Sequence, residues 1–319
     1  MSDAADSGSS GGDGADWIAG CPAPLRPHLA RYLDGALSAP MTLMHLLIAT
    51  EDPARVAAML AELEQAALDA AVVPRLRELS ALLDENREGA VDVAAMLRMG
   101  ADHSRAADDA ADGIAAWASL FDRAVAAAPE ASVALYSLGN PRLLDAATEE
   151  VVARMRDWGL FGDDRDLLEI GCGIGRFQAA LAGAVRSVAG IDISAGMVET
   201  ARRRCAGLGN VRLLHCSGRD LAPFPDASVN LVFAVDTFPY LVLSGGGLVE
   251  RHVAEAARVL RPGGSFLVLN FSYRGDVQQD REDVDRLARA AGFTVERSGT
   301  GDFAIWDGTT FLLRRTNSR

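Results

Sequence analysis

Apolar positions divide the 319-residue chain into three textures. Residues 1–16, MSDAADSGSSGGDGAD, show no apolar pattern; a stretch that can bury so little is expected to be a disordered tail. Over 17–130 apolar residues recur at helical spacing. Asp52 and Pro53 read as an N-cap and a first-position proline, and Val56, Met59, Leu60, Leu63 and Ala67 follow on one face. Leu76, Leu79, Leu82 and Leu83 predict another helix, and Ile114, Trp117, Leu120, Phe121 and Val125 a third. This stretch reads as an α-helical N-terminal domain. Its apolar stripes must pack on each other, on the remainder of the chain or on a second copy, so it is expected to serve as a lid, a substrate wall or a homodimer surface. MTLMHLLIAT within it is strongly apolar, and His45 there is expected to be a buried polar group with a partner.

From 131 to 319 the pattern changes. A helix over Ala146–Trp158 ends at Gly159. Strand-like and helix-like segments then alternate: DLLEIG, RFQAALAGA, VRSVAGID, AGMVETARRRCAG, VRLLHCSG and VNLVFAVD. LVERHVAEAARVL follows as a helix ended by Arg261-Pro262-Gly263-Gly264, then the strand SFLVLNFSY, a helix over Asp283–Ala291, and strands near Phe293–Arg297 and Thr309–Arg314. Such alternation predicts an α/β fold, a doubly wound, mostly parallel sheet of seven strands covered on both faces by helices.

In a doubly wound sheet ligands bind at the carboxyl ends of the strands, and the first strand–helix turn is where backbone can meet them. That turn here is Glu169-Ile170-Gly171-Cys172-Gly173-Ile174-Gly175-Arg176. The dinucleotide fingerprint GxGxxG requires a third glycine where Arg176 stands, which disfavours a nucleotide-dependent oxidoreductase. EIGCGIGR instead resembles the first motif of class I S-adenosylmethionine-dependent methyltransferases. Further segments extend the likeness over about 131–319. GIDIS ends the second strand at Asp192, 21 residues after Gly171, where a carboxylate can accept from both ribose hydroxyls. SAGMVETARRRC resembles the following helix. Pro223-Phe224-Pro225-Asp226 matches the segment before the fourth strand, and RVLRPGGSFLVL the helix, turn and fifth strand.

The resemblance implies S-adenosyl-L-methionine as cofactor and a site of stated residues. Glu169 would help hold the amino group of the methionine part, and backbone at Gly171, Cys172, Gly173 and Gly175 would border its chain. Asp192 would take the ribose; Ile193 and Met197 would flank the adenine, and Gly218 and Arg219 would border it. Val235 and Asp236 would face the sulfonium, and Tyr136 would close over the cofactor or sit as a half-buried aromatic at the domain junction. Gly218 occupies the place of an acidic residue that usually contacts the adenine amino group, so backbone there or a shifted Asp220 would have to substitute. Asp236 and Tyr240, in the stretch AVDTFPYLVLSGGG after the fourth strand, which reads as a loop, are the candidate catalytic residues. Asn270, Ser272 and Tyr273 could contact substrate or form a turn, and His252 reads as a packing residue.

Composition narrows the partners. A formal charge of −13 opposes binding to nucleic-acid phosphates, and VDTFPYL is not the (D/N)PPY signature of amino-methylating nucleic-acid enzymes. Cys21, Cys172, Cys205 and Cys216 are too scattered for a disulfide framework, a metal site or arsenic chemistry. With no signal-like segment and no apolar run near the ~20 residues of a membrane span, a cytoplasmic location away from membranes is expected. The expected function is methyl transfer to an O, N or C atom of a small-molecule metabolite or natural product. A non-catalytic cofactor-binding regulatory or scaffold protein is the alternative.

Overall fold

The computed structural model describes residues 21–67, 69–98 and 109–316. The expected tail at 1–16 lies outside them. The helical region contains α1 (Arg26–Leu33), α2 (Ala39–Thr50), α3 (Pro53–Ala66), α4 (Val72–Glu85), α5 (Arg87–Arg98), α6 (Ala110–Ala127) and the short α7 (Pro129–Val133). A 3-10 turn at Leu135–Ser137 leads into α8 (Pro141–Asp157). Asp52 caps α3 as expected, its Oδ1 accepting from the Ala54 and Arg55 amides. Helix α8 starts earlier than the apolar pattern predicts, because Asn140 caps it through the Arg142 amide and Pro141 takes the first position.

The sheet is built from β1 (Asp166–Ile170), β2 (Ser187–Asp192), β3 (Val211–His215), β4 (Val229–Val235), β5 (Leu260–Leu269), β6 (Phe293–Gly301) and β7 (Thr309–Arg315). Between them run α9 (Arg176–Leu181), α10 (Ala195–Arg204), α11 (Phe238–Ser244), α12 (Leu248–Val259) and α13 (Val277–Ala291). Strand order is β3-β2-β1-β4-β5-β7-β6, all parallel except β7, which runs antiparallel to both neighbours. Strand β1 pairs with β2 on one side and β4 on the other, so the order reverses at β1. A crevice opens there at the carboxyl ends, where the candidate site residues fall.

The pleat sorts alternate residues to opposite faces. Leu167, Leu231, Phe233, Leu267 and Leu269 belong to one buried cluster that continues without a break into Leu43, Leu46, Leu60 and Leu76 of the helical region. Leu168, Val232, Ala234, Phe266 and Val268 belong to a second, packed under α11, α12 and α13. The helical region therefore shares its core with one face of the sheet.

Two local expectations are corrected. Arg261-Pro262-Gly263-Gly264 does not lie between helix and strand; β5 already begins at Leu260, which pairs with Val229 before a register shift. The stretch after β4, read as a loop, contains α11, entered at Phe238-Pro239 and ended by Gly245.

Candidate functional site

A cavity of about 710 Å³ lies over the carboxyl ends of β1, β2 and β4, in the upper part of the size range of small-molecule sites. Its wall includes Gly171, Gly173, Asp192, Ile193, Met197, Gly218, Val235, Asp236 and Tyr136. These nine residues come together from five separate stretches of the chain.

Asp192 ends β2 with its carboxylate fixed at both oxygens. Oδ2 accepts from the Gly173 amide at 2.9 Å and Oδ1 from the Ser194 amide at 2.9 Å. Burial pushes its pKa upward, opposed by those amides. The bonds hold the carboxylate plane and leave further lone pairs for hydroxyl donors. Beside it, Ile193, Met197 and Ile114 form an apolar slot at Gly218, whose φ is +70°. A side chain at position 218 would meet Ile193 at 2.6 Å and Ile114 at 3.3 Å, so the usual acidic residue has no room. Asp220 does not take its place: it turns back to accept from the Ala222 amide. A carboxylate for hydroxyls next to an apolar slot for a flat ring fits an adenosine.

The glycine turn shapes this end differently from the sequence expectation. Gly171, Gly173 and Gly175 all have positive φ. The space a Cβ would take is filled by protein: Thr237 at Gly171, Val133 at Gly173 and Ala201 at Gly175. The Gly171 and Cys172 amides both donate to the Ile191 carbonyl. The turn therefore offers a ligand surface rather than free amides.

Four expected contacts fall outside the cavity wall. Glu169 is buried, its Oε2 held at 2.7 Å by Gln178 Nε2 of α9, so it does not reach the cavity. Cys172 is buried against Gly190, Gly175 packs on Ala201 and Cys205, and Arg219 is exposed. Burial pushes the Glu169 pKa up to about 8, with the Gln178 bond and nearby Arg176 opposing. Below about pH 4.5 the carboxyl is neutral folded and unfolded alike. As pH climbs toward 8 only the unfolded chain gains the charge, so this contribution to stability is lost across that window. Glu169→Gln should therefore gain stability relative to the parent, by at least ~1 kcal/mol, between pH 5 and pH 8.5. Thermal unfolding of both proteins at the two pH values checks this; parallel profiles would exclude a raised pKa.

Asp236, just past β4, has φ +53°, a strained conformation for an aspartate, anchored by its own amide on the Leu269 carbonyl. Its Oδ1 accepts from Asn270 Nδ2 at 2.7 Å and from Tyr273 Oη at 3.2 Å. Asn270 is fixed in turn by accepting the Thr309 amide, with φ +60°. Burial raises the Asp236 pKa to about 6, while the Asn270 bond and the nearby Arg176 and Tyr273 pull it down. Tyr240 packs edge-on against Trp117, Phe121 and Tyr273, with centroids 4.9, 5.1 and 5.8 Å away. Tyr136 is buried near Arg176 and Trp306. His252, expected to be a packing residue, is buried on α12 with Nδ1 2.8 Å from the Leu248 carbonyl, and it also borders the cavity.

The helical region supplies walls that spacing alone does not reveal. Ile114, Trp117 and Phe121 of α6 face the cavity. Asp122 of the same helix clamps α10, its Oδ1 accepting from Ser194 Oγ at 2.6 Å and the Gly196 amide at 2.9 Å. Met41, Met44 and His45 of α2, with Trp306 and Asp307 before β7, close the far end. Their only sequence signal is the apolar stripe of each helix, which reads equally as core.

Residues 168–268 match the family described as a methyltransferase domain. Over 158 residues the chain is 34% identical to a demethylmenaquinone methyltransferase of Clavibacter sepedonicus, covering 48% of this chain and 57% of that protein. It is 35% identical over 108 residues to the demethylmenaquinone methyltransferase of Tropheryma whipplei (strain Twist), covering 34% and 42%. The chain thus spans about half the length of these relatives. Among solved structures, Haemonchus contortus phosphoethanolamine N-methyltransferase 1, in complex with phosphoethanolamine and S-adenosylhomocysteine, superposes with a TM-score of 0.50 at 18% identity. That match covers 66% of this chain and 49% of the other, and it shows a shared fold.

Proposed function

We propose that this chain, in which residues 168–268 form a class I S-adenosylmethionine-dependent methyltransferase domain, transfers a methyl group to an O, N or C atom of a small molecule. The carrying observation is the single cavity that starts at Asp192 and Gly218, passes Asp236, and continues to α2 and the segment before β7. Such a cavity accommodates an acceptor beside the cofactor, which a purely cofactor-binding scaffold has no need to do. The relatives named as demethylmenaquinone methyltransferases support a small-molecule acceptor. The helical region, about 17–130, acts in this reading as the acceptor wall of a methyltransferase domain at 131–319.

The cofactor supplies a methyl group already activated on a positively charged sulfur. What remains for the protein is to bind, orient and exclude water. Asp192 holds the ribose end, and Ile193, Met197 and Ile114 the base. Asp236, ionised above its raised pKa and pinned by Asn270 and Tyr273, places negative charge at the middle of the cavity. There it favours a cation and accepts a hydrogen bond from the acceptor. Tyr240, locked among three aromatic rings, walls the acceptor side.

Calorimetric titration tests the reading. S-adenosylmethionine and S-adenosylhomocysteine should each bind one site, and NAD should give no heat. A folded sample that binds neither would overturn the proposal. One that binds both but releases no S-adenosylhomocysteine with any small acceptor would favour the scaffold alternative.

A further inference from the structure

The middle of the cavity sets a carboxylate against a group of rings. Asp236 makes its side-chain hydrogen bonds through Oδ1, accepting from Asn270 Nδ2 and Tyr273 Oη. No donor among the described residues bonds to Oδ2, although Asp236 lines the cavity. The Tyr273 hydroxyl joins this carboxylate to the aromatic group. Four aromatic side chains line the wall here: Trp117 and Phe121 of α6, Tyr240 of α11, and Tyr273 after β5. Tyr240 meets each of the other three.

The formal charge along the wall is acidic. Asp192, Asp236, Asp276, Asp280 and Asp307 line it, and no Lys or Arg of the described residues does. Asp280 has Arg274 at 2.9 Å, and Asp307 has His45 at 3.8 Å. Asp192, Asp236 and Asp276 are held by backbone amides or by Asn270 and Tyr273, neutral donors that orient a carboxylate without cancelling its charge. Arg176, the guanidinium near Asp236, is buried outside the wall, over the Phe177 ring and on Thr148 Oγ1. A cleft lined by charge of one sign concentrates ligands of the other.

Resting on the methyltransferase reading, we propose that the acceptor is a primary or secondary amine on an apolar body, which enters as its ammonium ion and is held by Asp236 Oδ2 among Trp117, Phe121, Tyr240 and Tyr273. Aromatic rings attract an ammonium ion, and more strongly where water is excluded. The carboxylate beside them supplies the pairing that a desolvated cation needs. An ammonium nitrogen has no lone pair to offer a methyl group. Oδ2 takes one of its protons and so releases that pair, leaving a neutral amine and a neutral carboxyl group. A hydroxyl would make one bond to Oδ2 and leave the charge uncancelled. A carboxylate or phosphate would meet no Lys or Arg among the described residues of the wall. Met41, Met44, Ile48 and Trp306 give the apolar body an adaptable surface.

The experiment uses the full chain loaded with S-adenosylhomocysteine. Loading is verified first by calorimetry, and a failure to load would sink the preceding reading and this one with it. Cyclohexylmethylamine, cyclohexylmethanol and cyclohexanecarboxylate, which share one apolar body, are then titrated at neutral pH and followed by ligand-observed NMR. The amine should bind at one site at least tenfold tighter than the alcohol, and the carboxylate should bind more weakly than both. Asp236→Asn keeps the shape of the side chain and removes its charge. It should weaken the amine at least tenfold and the alcohol less than twofold. Tyr240→Leu removes a ring and leaves the carboxylate; it should weaken the amine threefold or more and the alcohol less than twofold. It carries the test if Asp236→Asn does not load. The proposal is overturned if the loaded parent binds no amine, if it binds the alcohol or the carboxylate as tightly, or if the loaded variant weakens amine and alcohol alike. The last result would mean that the substituted residue only shapes the wall.

Discussion

Asp192→Ala should lower the affinity for S-adenosylmethionine and S-adenosylhomocysteine at least tenfold. A hydrogen bond to a charged acceptor contributes about 1.5–3 kcal/mol, and the loss of one such bond already exceeds the 1.4 kcal/mol of a tenfold change. The carboxylate is oriented for this by the Gly173 and Ser194 amides, so it pays little ordering entropy when a ribose arrives. Those same amides complicate the variant. Without the carboxylate both lose their acceptor in a buried place, at a cost of about 1–3 kcal/mol each. A lower melting temperature is therefore expected alongside the weaker binding. A second ligand separates the two effects. Adenosine should lose affinity in the variant, whereas 2′,3′-dideoxyadenosine, which offers no hydroxyls, should lose far less. Equal losses would mean that Asp192 acts only by holding the glycine turn. An unchanged dissociation constant in a folded variant would remove it from the site.

The contrast between Asp192 and Glu169 shows what the sequence could carry. Both carboxylates end parallel strands beside the glycine turn, and the family resemblance assigns both to the cofactor. The assignment for Asp192 needs only the strand end and its distance from Gly171. Whether Glu169 reaches the cavity depends on Gln178, one turn into the next helix, which takes its carboxylate at 2.7 Å. Nothing in the apolar pattern distinguishes these outcomes. The centre of the sheet was legible because β1, β2, β4 and the second half of β5 are near-continuous apolar runs. Helix α13 was legible only from Asp283, since VQQDRE ahead of it has a single apolar residue; Asp276, the cap on the Gln279 amide, marks the true start. The part of the cavity wall that the helical region supplies was the least legible. Met44, His45, Trp117 and Phe121 sit on helical stripes that would look the same facing a core or a cavity. What decides between these are contacts such as Ser38 with Ile305, between residues far apart in sequence.

Gly171→Ala should be the most damaging single-methyl change in the glycine turn. At φ +74° an alanine already costs roughly 1–2 kcal/mol in the left-handed region. Its Cβ would stand 2.1 Å from Thr237 Oγ1 and 2.8 Å from Thr237 Cγ2. Thr237 cannot easily rotate away, because Oγ1 donates to the Ile170 carbonyl at 2.9 Å, joining the end of β1 to the turn after β4. Overpacking of this kind adds about 1–3 kcal/mol. The sum, roughly 2–5 kcal/mol, corresponds to a fall in melting temperature of about 4–20 °C for a domain of 150–250 residues. Displacing Thr237 also displaces its neighbour Asp236, so cofactor binding should weaken together with stability. The rescue separates the two costs. Thr237→Ala removes Oγ1 and Cγ2, so Gly171→Ala combined with Thr237→Ala should recover the overlap while the backbone strain remains. The double variant should then melt above Gly171→Ala but below Thr237→Ala alone. Additive melting shifts would show that position 171 and Thr237 are not in contact. A parent-like melting temperature for Gly171→Ala would mean that the turn has room the structure does not give it.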